Sequence, residues 1–275
     1  METIIKISNF TKKYGNFTAV ENLNLEINKG EMIGFVGKNG AGKSTTLRCM
    51  LDIIHPTEGT ITIQGLDSKK DSKEIKKYVS YIPSESAFYD NITGRQLLKF
   101  AMKFTTITME EIEELAEKFE LNLTKKVMEL SLGNRKKVSI LQGLIKEAEV
   151  IILDEPTNGL DPLMQNLLFE LLLEEKAKGK TIFLSSHNLS EIEKYCDKVA
   201  IIKDGKLLDY MDMDTVKIKH KQIVSYRTTT GEEACYVVED LNELVAKLAK
   251  LDLEQLEIKN QTVEDEFIEY YKGEK

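Results

Sequence analysis

Eight consecutive residues, Gly37-Lys38-Asn39-Gly40-Ala41-Gly42-Lys43-Ser44, constrain this chain more than any other stretch. They fit G-x-x-x-x-G-K-[ST], the phosphate-binding loop pattern. Glu31 to Val36 before the loop reads as a short buried strand, and Ser44 to Leu51 after it reads as a helix. The glycines let the backbone wrap closely, so successive N–H groups point at one anion. The following helix adds its partial positive N-terminus. Lys43 has the reach for β- and γ-phosphates, Ser44 offers a hydroxyl to Mg²⁺, and Thr45 completes the candidate nucleotide-binding set. A glycine-rich turn that binds nothing is the competing reading. Strand, loop, Lys-Ser and helix in this order count against it.

A second motif, Val150-Ile151-Ile152-Leu153-Asp154-Glu155, is an apolar strand ending in two acids. A continuous apolar run suits a central parallel strand. Asp154 is a candidate Mg²⁺ ligand, and Glu155 a candidate carboxylate to polarise a water attacking the γ-phosphate. The pair favours hydrolysis over phosphoryl transfer to another substrate. Alone, it reads equally well as two solvated acids at a strand end.

The chain between and around these motifs is that of an α/β protein. Residues 3–7 and 23–27 alternate like half-exposed antiparallel strands, as do residues 60–65. Val79 to Ile82 is a short strand stopped by Pro83. Residues of about 88–148 form a helical insert, with Thr108 and Glu111 in a capping-box pattern and Met109, Ile112, Leu115, Ala116 and Phe119 on one face. Asp161-Pro162 opens a long helix whose apolar face runs Leu163, Leu167, Leu168, Leu171, Leu172. With the strand 181–184, residues 150–184 make one βαβ unit, which requires a parallel sheet. Asp204-Gly205 is a hairpin turn. From about residue 216 the pattern restarts as a small α+β appendage, with a helix capped by Asp240 and a last helix from Thr262. The expected division is 1–215 and 216–275.

With 275 residues, 31% of them charged, and a net charge of −8, the chain is a poor candidate for electrostatic binding to nucleic acid. No apolar run approaches the roughly 20 residues of a membrane span. Met-Glu-Thr-Ile-Ile-Lys has no apolar core for a signal peptide. Cys49, Cys196 and Cys235 are scattered, and the first two read as buried, reduced thiols of a cytosolic protein. The three histidines share no ligand spacing with them. Arg135-Lys136-Lys137 reads first as a solvated helix face, with a membrane-headgroup contact as the alternative.

Taken in order, the phosphate loop, the helical insert, Leu130-Ser131-Leu132-Gly133-Asn134, Asp154-Glu155-Pro156-Thr157-Asn158-Gly159-Leu160-Asp161 and Ser185-Ser186-His187 resemble the ATP-binding subunit of an ABC transporter. The resemblance covers about residues 1–210. It implies a P-loop NTPase fold with a mixed sheet and an antiparallel β subdomain. It also implies two such domains paired head-to-tail around two ATP with Mg²⁺, and an integral membrane permease as partner. The subunit would lie peripherally on the cytoplasmic face of the membrane. By this resemblance Tyr14 stacks on adenine, although an ordinary half-buried tyrosine would read the same. Ser131 and Gly133 touch the γ-phosphate held by the other protomer, Asp161 couples the two sites, and His187 contacts the γ-phosphate. Both signature residues are expected just ahead of a helix over Arg135–Leu144.

Two departures stand out. Leu132 and Asn134 replace a glycine and a glutamine of the usual signature, giving a Ser-Leu-Gly form like that of the ABC-2-type exporter branch. Ser84 stands where the family has a glutamine that ligates Mg²⁺ and senses the membrane partner. Serine is too short for that reach; a water could bridge, or Glu85 could swing in. The implied function is ATP hydrolysis driving export of a drug, peptide or lipid. The alternative is a soluble ABC ATPase acting on ribosomes or DNA.

Overall fold

The computed structural model describes residues 2–218, 222–238 and 241–260. Strands β1 (Thr3–Tyr14) and β2 (Phe17–Asn28) form a hairpin. β3 (Met32–Val36) runs into the glycine-rich loop and helix α1 (Lys43–Met50). β4 (Glu58–Ile63) and β5 (Leu66–Asp67) return to the first sheet, giving the antiparallel order β2-β1-β4-β5. After α2 (Ser72–Tyr78) comes β6 (Val79–Ile82). The insert then adds α3 (Gly94–Ala101), α4 (Met109–Lys118) and α5 (Leu132–Leu144). The chain continues through β7 (Val150–Asp154), α6 (Pro162–Ala177), β8 (Thr181–Ser186), α7 (Leu189–Tyr195), β9 (Lys198–Lys203) and β10 (Lys206–Asp212).

The central sheet has the order β10-β9-β3-β8-β7-β6, parallel except for β10. Its middle strands are buried on both faces, so alternate side chains feed two different cores. Ile33, Phe35, Val150, Ile152 and Phe183 pack between the two sheets together with Leu47 and Met50 of α1. Met32, Val36, Ile151, Leu153, Ile182 and Leu184 pack against the helices on the other side. This is why β3, β7 and β8 read as unbroken apolar runs. At the β9–β10 turn, Asp204 and Gly205 both have left-handed φ, 48° and 78°, as a type I′ hairpin requires.

The capping box at α4 forms as expected: Thr108 Oγ1 accepts from Glu111 N at 3.3 Å, and Glu111 Oε2 accepts from Thr108 N at 2.7 Å. α6 starts where Asp161-Pro162 places it, with Asp161 Oδ1 accepting from Met164 N at 3.0 Å. Its buried face is rotated from the expected one. Leu163 is 65% exposed, whereas Met164, Leu168, Phe169, Leu171 and Leu172 are buried. α5 begins three residues earlier than expected, because Ser131 caps it through its side chain.

Beyond β10, the short helix α8 (Met213–Ile218) was not legible in the sequence. β11 (Gln222–Thr228), β12 (Glu233–Val238), α9 (Leu241–Leu248) and β13 (Leu253–Asn260) follow, with an antiparallel sheet in the order β12-β11-β13. The Asp240 cap and the helix from Thr262 lie outside the described residues.

Candidate nucleotide site

The glycine-rich loop leaves the C-terminal end of β3, in the middle of the parallel sheet. Gly40 and Gly42 have φ of 84° and 108°, a left-handed backbone that other residues rarely adopt. A Cβ on Gly42 would lie 2.7 Å from the carbonyl oxygen of Ala19, and one on Gly37 would collide with that of Ile202. Gly42 is also the N-cap of α1 and brings no side chain to it. The first-turn N–H groups around Ser44 and Thr45 therefore keep no side-chain cap and suit an anion. Lys38, Asn39 and Gly40 are exposed at the mouth of the loop, while Ala41 is buried beneath it.

The two acids arrive on β7, the second neighbour of β3 across β8. Parallel register places Asp154 beside Ser185. Asp154 Oδ1 accepts from Ser44 Oγ at 2.9 Å and from Ser185 Oγ at 2.8 Å. Its other oxygen, Oδ2, is buried without a partner. A hydroxyl and a carboxylate with one free oxygen form a donor set that fits a hard cation such as Mg²⁺.

Glu155 follows with φ of 46°, a left-handed conformation that costs a glutamate roughly 1–3 kcal/mol. The surroundings hold it there: its N–H donates to Ser185 Oγ at 3.0 Å. The side chain is 8% exposed and lies between two cationic or polar partners. Lys43 Nζ is 2.9 Å from Oε1, and His187 Nδ1 is 2.7 Å from Oε2. Lys43 Nζ also donates to the carbonyl oxygens of Gly37 (2.5 Å) and Lys38 (3.3 Å). The fold thus gathers Lys43, Ser44, Asp154, Glu155 and His187 from three separate segments into one cluster.

The remaining sequence candidates have other local partners. Tyr14 ends β1 at 48% exposure, with Lys12 Nζ 4.9 Å from its ring centre. Ser131 Oγ accepts from Asn134 N at 3.3 Å, and Gly133 sits so close to Gly159 O that a Cβ would approach it to 2.7 Å. Asp161 caps α6. Ser84 and Glu85 sit in the loop after β6, where Glu85 is exposed.

The basic run needs correction. Lys136 and Lys137 are buried, at 6% and 7% exposure, and are not a solvated face. Lys137 Nζ donates to Phe119 O at 2.9 Å. Lys136 Nζ donates to Pro83 O (2.9 Å) and Ser84 O (3.1 Å). Burial pushes the Lys136 ammonium down to about 8, opposed by attraction to Asp154 and Glu155. Arg135 folds back onto Leu130 O and Met128 O.

Two further residues take part: Ser185, which the sequence offered only as part of the Ser185-Ser186-His187 motif with no role of its own, and Glu191, which carries no signal in the one-dimensional pattern. Ser185 bridges both acids, and only the βαβ register would have revealed it. Glu191 accepts from Thr157 Oγ1 at 3.1 Å and lies 3.4 Å from Ser186 Oγ, and burial raises its carboxyl. It ties the segment after Glu155 to the strand that carries His187.

The family model described as "ABC transporter" matches residues 20–158. The chain belongs to the ABC transporter ATP-binding family. The bacitracin transport ATP-binding protein BcrA of Bacillus licheniformis is 39% identical over 246 residues, covering 87% of this chain and 79% of BcrA. The ABC transporter ATP-binding protein YtrB of Bacillus subtilis is 32% identical over 222 residues, covering 80% and 76%. A solved ATP-binding subunit of an ABC transporter superposes with a TM-score of 0.71 at 30% identity, over 78% of this chain and 92% of that one. The protein is a P-loop ATPase of transport. Among its described residues, no helix is long and apolar enough to cross a membrane.

Proposed function

We propose that this ATPase hydrolyses Mg²⁺-ATP in a head-to-tail pair with a second ATP-binding domain, most simply its own copy, and so drives export through a separate membrane-spanning permease. Residues 1–215 form the ATP-binding domain and 216–275 the appendage. The subunit sits peripherally on the cytoplasmic face of the membrane. The observation that carries the reading is Glu155, a buried carboxylate on a left-handed backbone with Lys43 on one oxygen and His187 on the other.

In this reading Gly37 to Thr45 cradle the phosphates, and Tyr14 stacks on adenine. Ser44 and Asp154 hold Mg²⁺, which offsets phosphate charge. Lys43, turned toward the β- and γ-phosphates, leaves Oε1 of Glu155 free to polarise the attacking water. His187 holds Oε2 and is aimed at the γ-phosphate. Ser131 and Gly133, at the N-terminus of α5, offer a hydroxyl and an N–H to the γ-phosphate of the partner site. Asp161 joins the two sites. The relatives named for bacitracin transport support an amphiphilic peptide or drug as cargo.

Purification of the tagged chain from native membranes tests the reading. A polytopic membrane protein that co-purifies in stoichiometric amount is the expected result. Ribosomes or DNA in its place would overturn it.

A further inference from the structure

Among the described residues, two buried cations, Lys136 and Lys137, are left over from the nucleotide chemistry, and Lys136 is the one that reaches the end of β6. Lys136 lies on the second turn of α5, the helix whose N-terminus carries Ser131 and Gly133. Its ammonium crosses to another segment, 52–53 residues away in sequence, and donates to two consecutive carbonyls, Pro83 O and Ser84 O. Those carbonyls begin the loop that leaves β6. In the parallel register Ile82 pairs with Leu153, so Pro83 stands beside Asp154 at the end of the sheet.

Two more bonds lace the same segment to the same helix. Ser86 Oγ donates to Ser139 Oγ at 2.7 Å, and Ser80 Oγ donates to Gly143 O at 2.7 Å. Between loop and helix lies a cleft of about 310 Å³ that reaches Ser84, Ser86, Phe88, Leu132, Lys136 and Gly159. These polar links add to the apolar packing of Ile82 and Phe88 against the core that α5 shares. A buried ammonium is costly unless its donors are used. Here two backbone acceptors use them, at a point that fixes α5 relative to the end of the catalytic strand.

We propose that Lys136 is a positioning residue of the ATPase: its ammonium clamps the backbone at Pro83–Ser84 to α5 and thereby fixes the signature residues relative to Asp154 and Glu155. The clamp touches neither the glycine-rich loop nor α1, so it governs turnover and leaves nucleotide affinity alone. The inference rests on the paired-site reading given above.

The test compares the full chain with Lys136→Met, Lys136→Arg and Ser86→Ala. Small misplacements of positioning groups cost rate rather than binding, so Lys136→Met is expected to lower kcat about tenfold or more while the Kd of a fluorescent ATP analogue stays within about twofold. Amides of residues 84–88 should exchange faster in Lys136→Met, with or without nucleotide. Lys136→Arg, which can still donate to two carbonyls, should keep kcat within about threefold of wild type. Ser86→Ala removes the neighbouring tie and should speed the same amides, which keeps the idea testable if Lys136→Met does not fold. Wild-type kcat and wild-type exchange in Lys136→Met, or unchanged exchange in Ser86→Ala, overturns the clamp. Glu155→Gln serves as control. If it keeps full turnover, the site assignment fails, and the exchange data still decide the clamp on their own.

Discussion

Replacing Glu155 by glutamine separates chemistry from folding in this site. The carboxylate has one partner on each oxygen, Lys43 Nζ at 2.9 Å and His187 Nδ1 at 2.7 Å. An amide keeps the shape and can satisfy both. Its oxygen accepts from the ammonium, and its NH₂ donates to Nδ1 when the imidazole carries its proton on Nε2. What is lost is the charge on a pair buried on both sides, with Lys43 and Glu155 5% and 8% exposed. Since the amide oxygen and the Gly37 and Lys38 carbonyls still accept from the ammonium, we put this at about 1–3 kcal/mol and, for a chain of this size, about 2–12 °C in Tm. The left-handed backbone is retained, since glutamine bears the same strain there as glutamate. Loss of a general base costs about 10²–10⁴-fold in rate, or roughly 2.7–5.4 kcal/mol of transition-state stabilisation. Expected, then, is phosphate release at least about a hundredfold slower at saturating ATP, nucleotide affinity within a few-fold of wild type, and a dimer that persists in gel filtration with ATP. Steady-state phosphate release, analogue binding and thermal melts check each part. A variant that melts normally and turns over within about tenfold of wild type would refute the assignment of Glu155 as the base.

Two other perturbations follow from the geometry. Gly42→Ala places a methyl 2.7 Å from Ala19 O at a φ of 108°, so the loop must move; binding of a fluorescent ATP analogue should weaken about tenfold or more, and retained affinity would show that the loop tolerates the shift. For Lys136, the ammonium falls from its ordinary 10.5 to about 8 in the folded chain, so the fold carries a penalty wherever both states are charged, and the penalty fades as pH rises from 8 to 10.5. Urea unfolding of wild type and Lys136→Met at pH 7.5 and 10 should therefore show wild type gaining on the variant by up to about 3 kcal/mol, and a constant difference would mean that Lys136 titrates normally.

Much of this was legible from local rules. Gly37–Ser44 stands out by its spacing, Asp154–Glu155 becomes a candidate only in its company, and Asp161-Pro162 sets the start of α6 by capping. Other features were not legible, three of them for clear physical reasons. The α5 boundary was misplaced because Ser131, counted as a phosphate-contacting loop residue, also caps the helix. The buried face of α6 is centred on Met164 rather than Leu163, which periodicity cannot resolve in a helix this rich in leucine. Lys136 looked like a surface charge because its acceptors lie 52–53 residues upstream and belong to backbone, which has no sequence signature.

The left-handed φ of Glu155 is equally silent in sequence, yet it explains how two adjacent acids come to face different partners. Successive residues on a strand point to opposite faces. A regular continuation of β7 would separate Asp154 and Glu155, one toward each core. The turn to φ 46° breaks that alternation at the strand end, so Asp154 stays against Ser44 while Glu155 meets Lys43 and His187. Two adjacent buried carboxylates need nearby cations. In the proposed cycle Lys43 is also the residue that turns toward phosphate. The carboxylate left behind would keep its contact with His187 Nδ1 and, at longer range, the attraction of Lys136. A buried lysine anchored beside the end of β6 would thus be a physical counterpart to Lys43 leaving Glu155 in the proposed cycle.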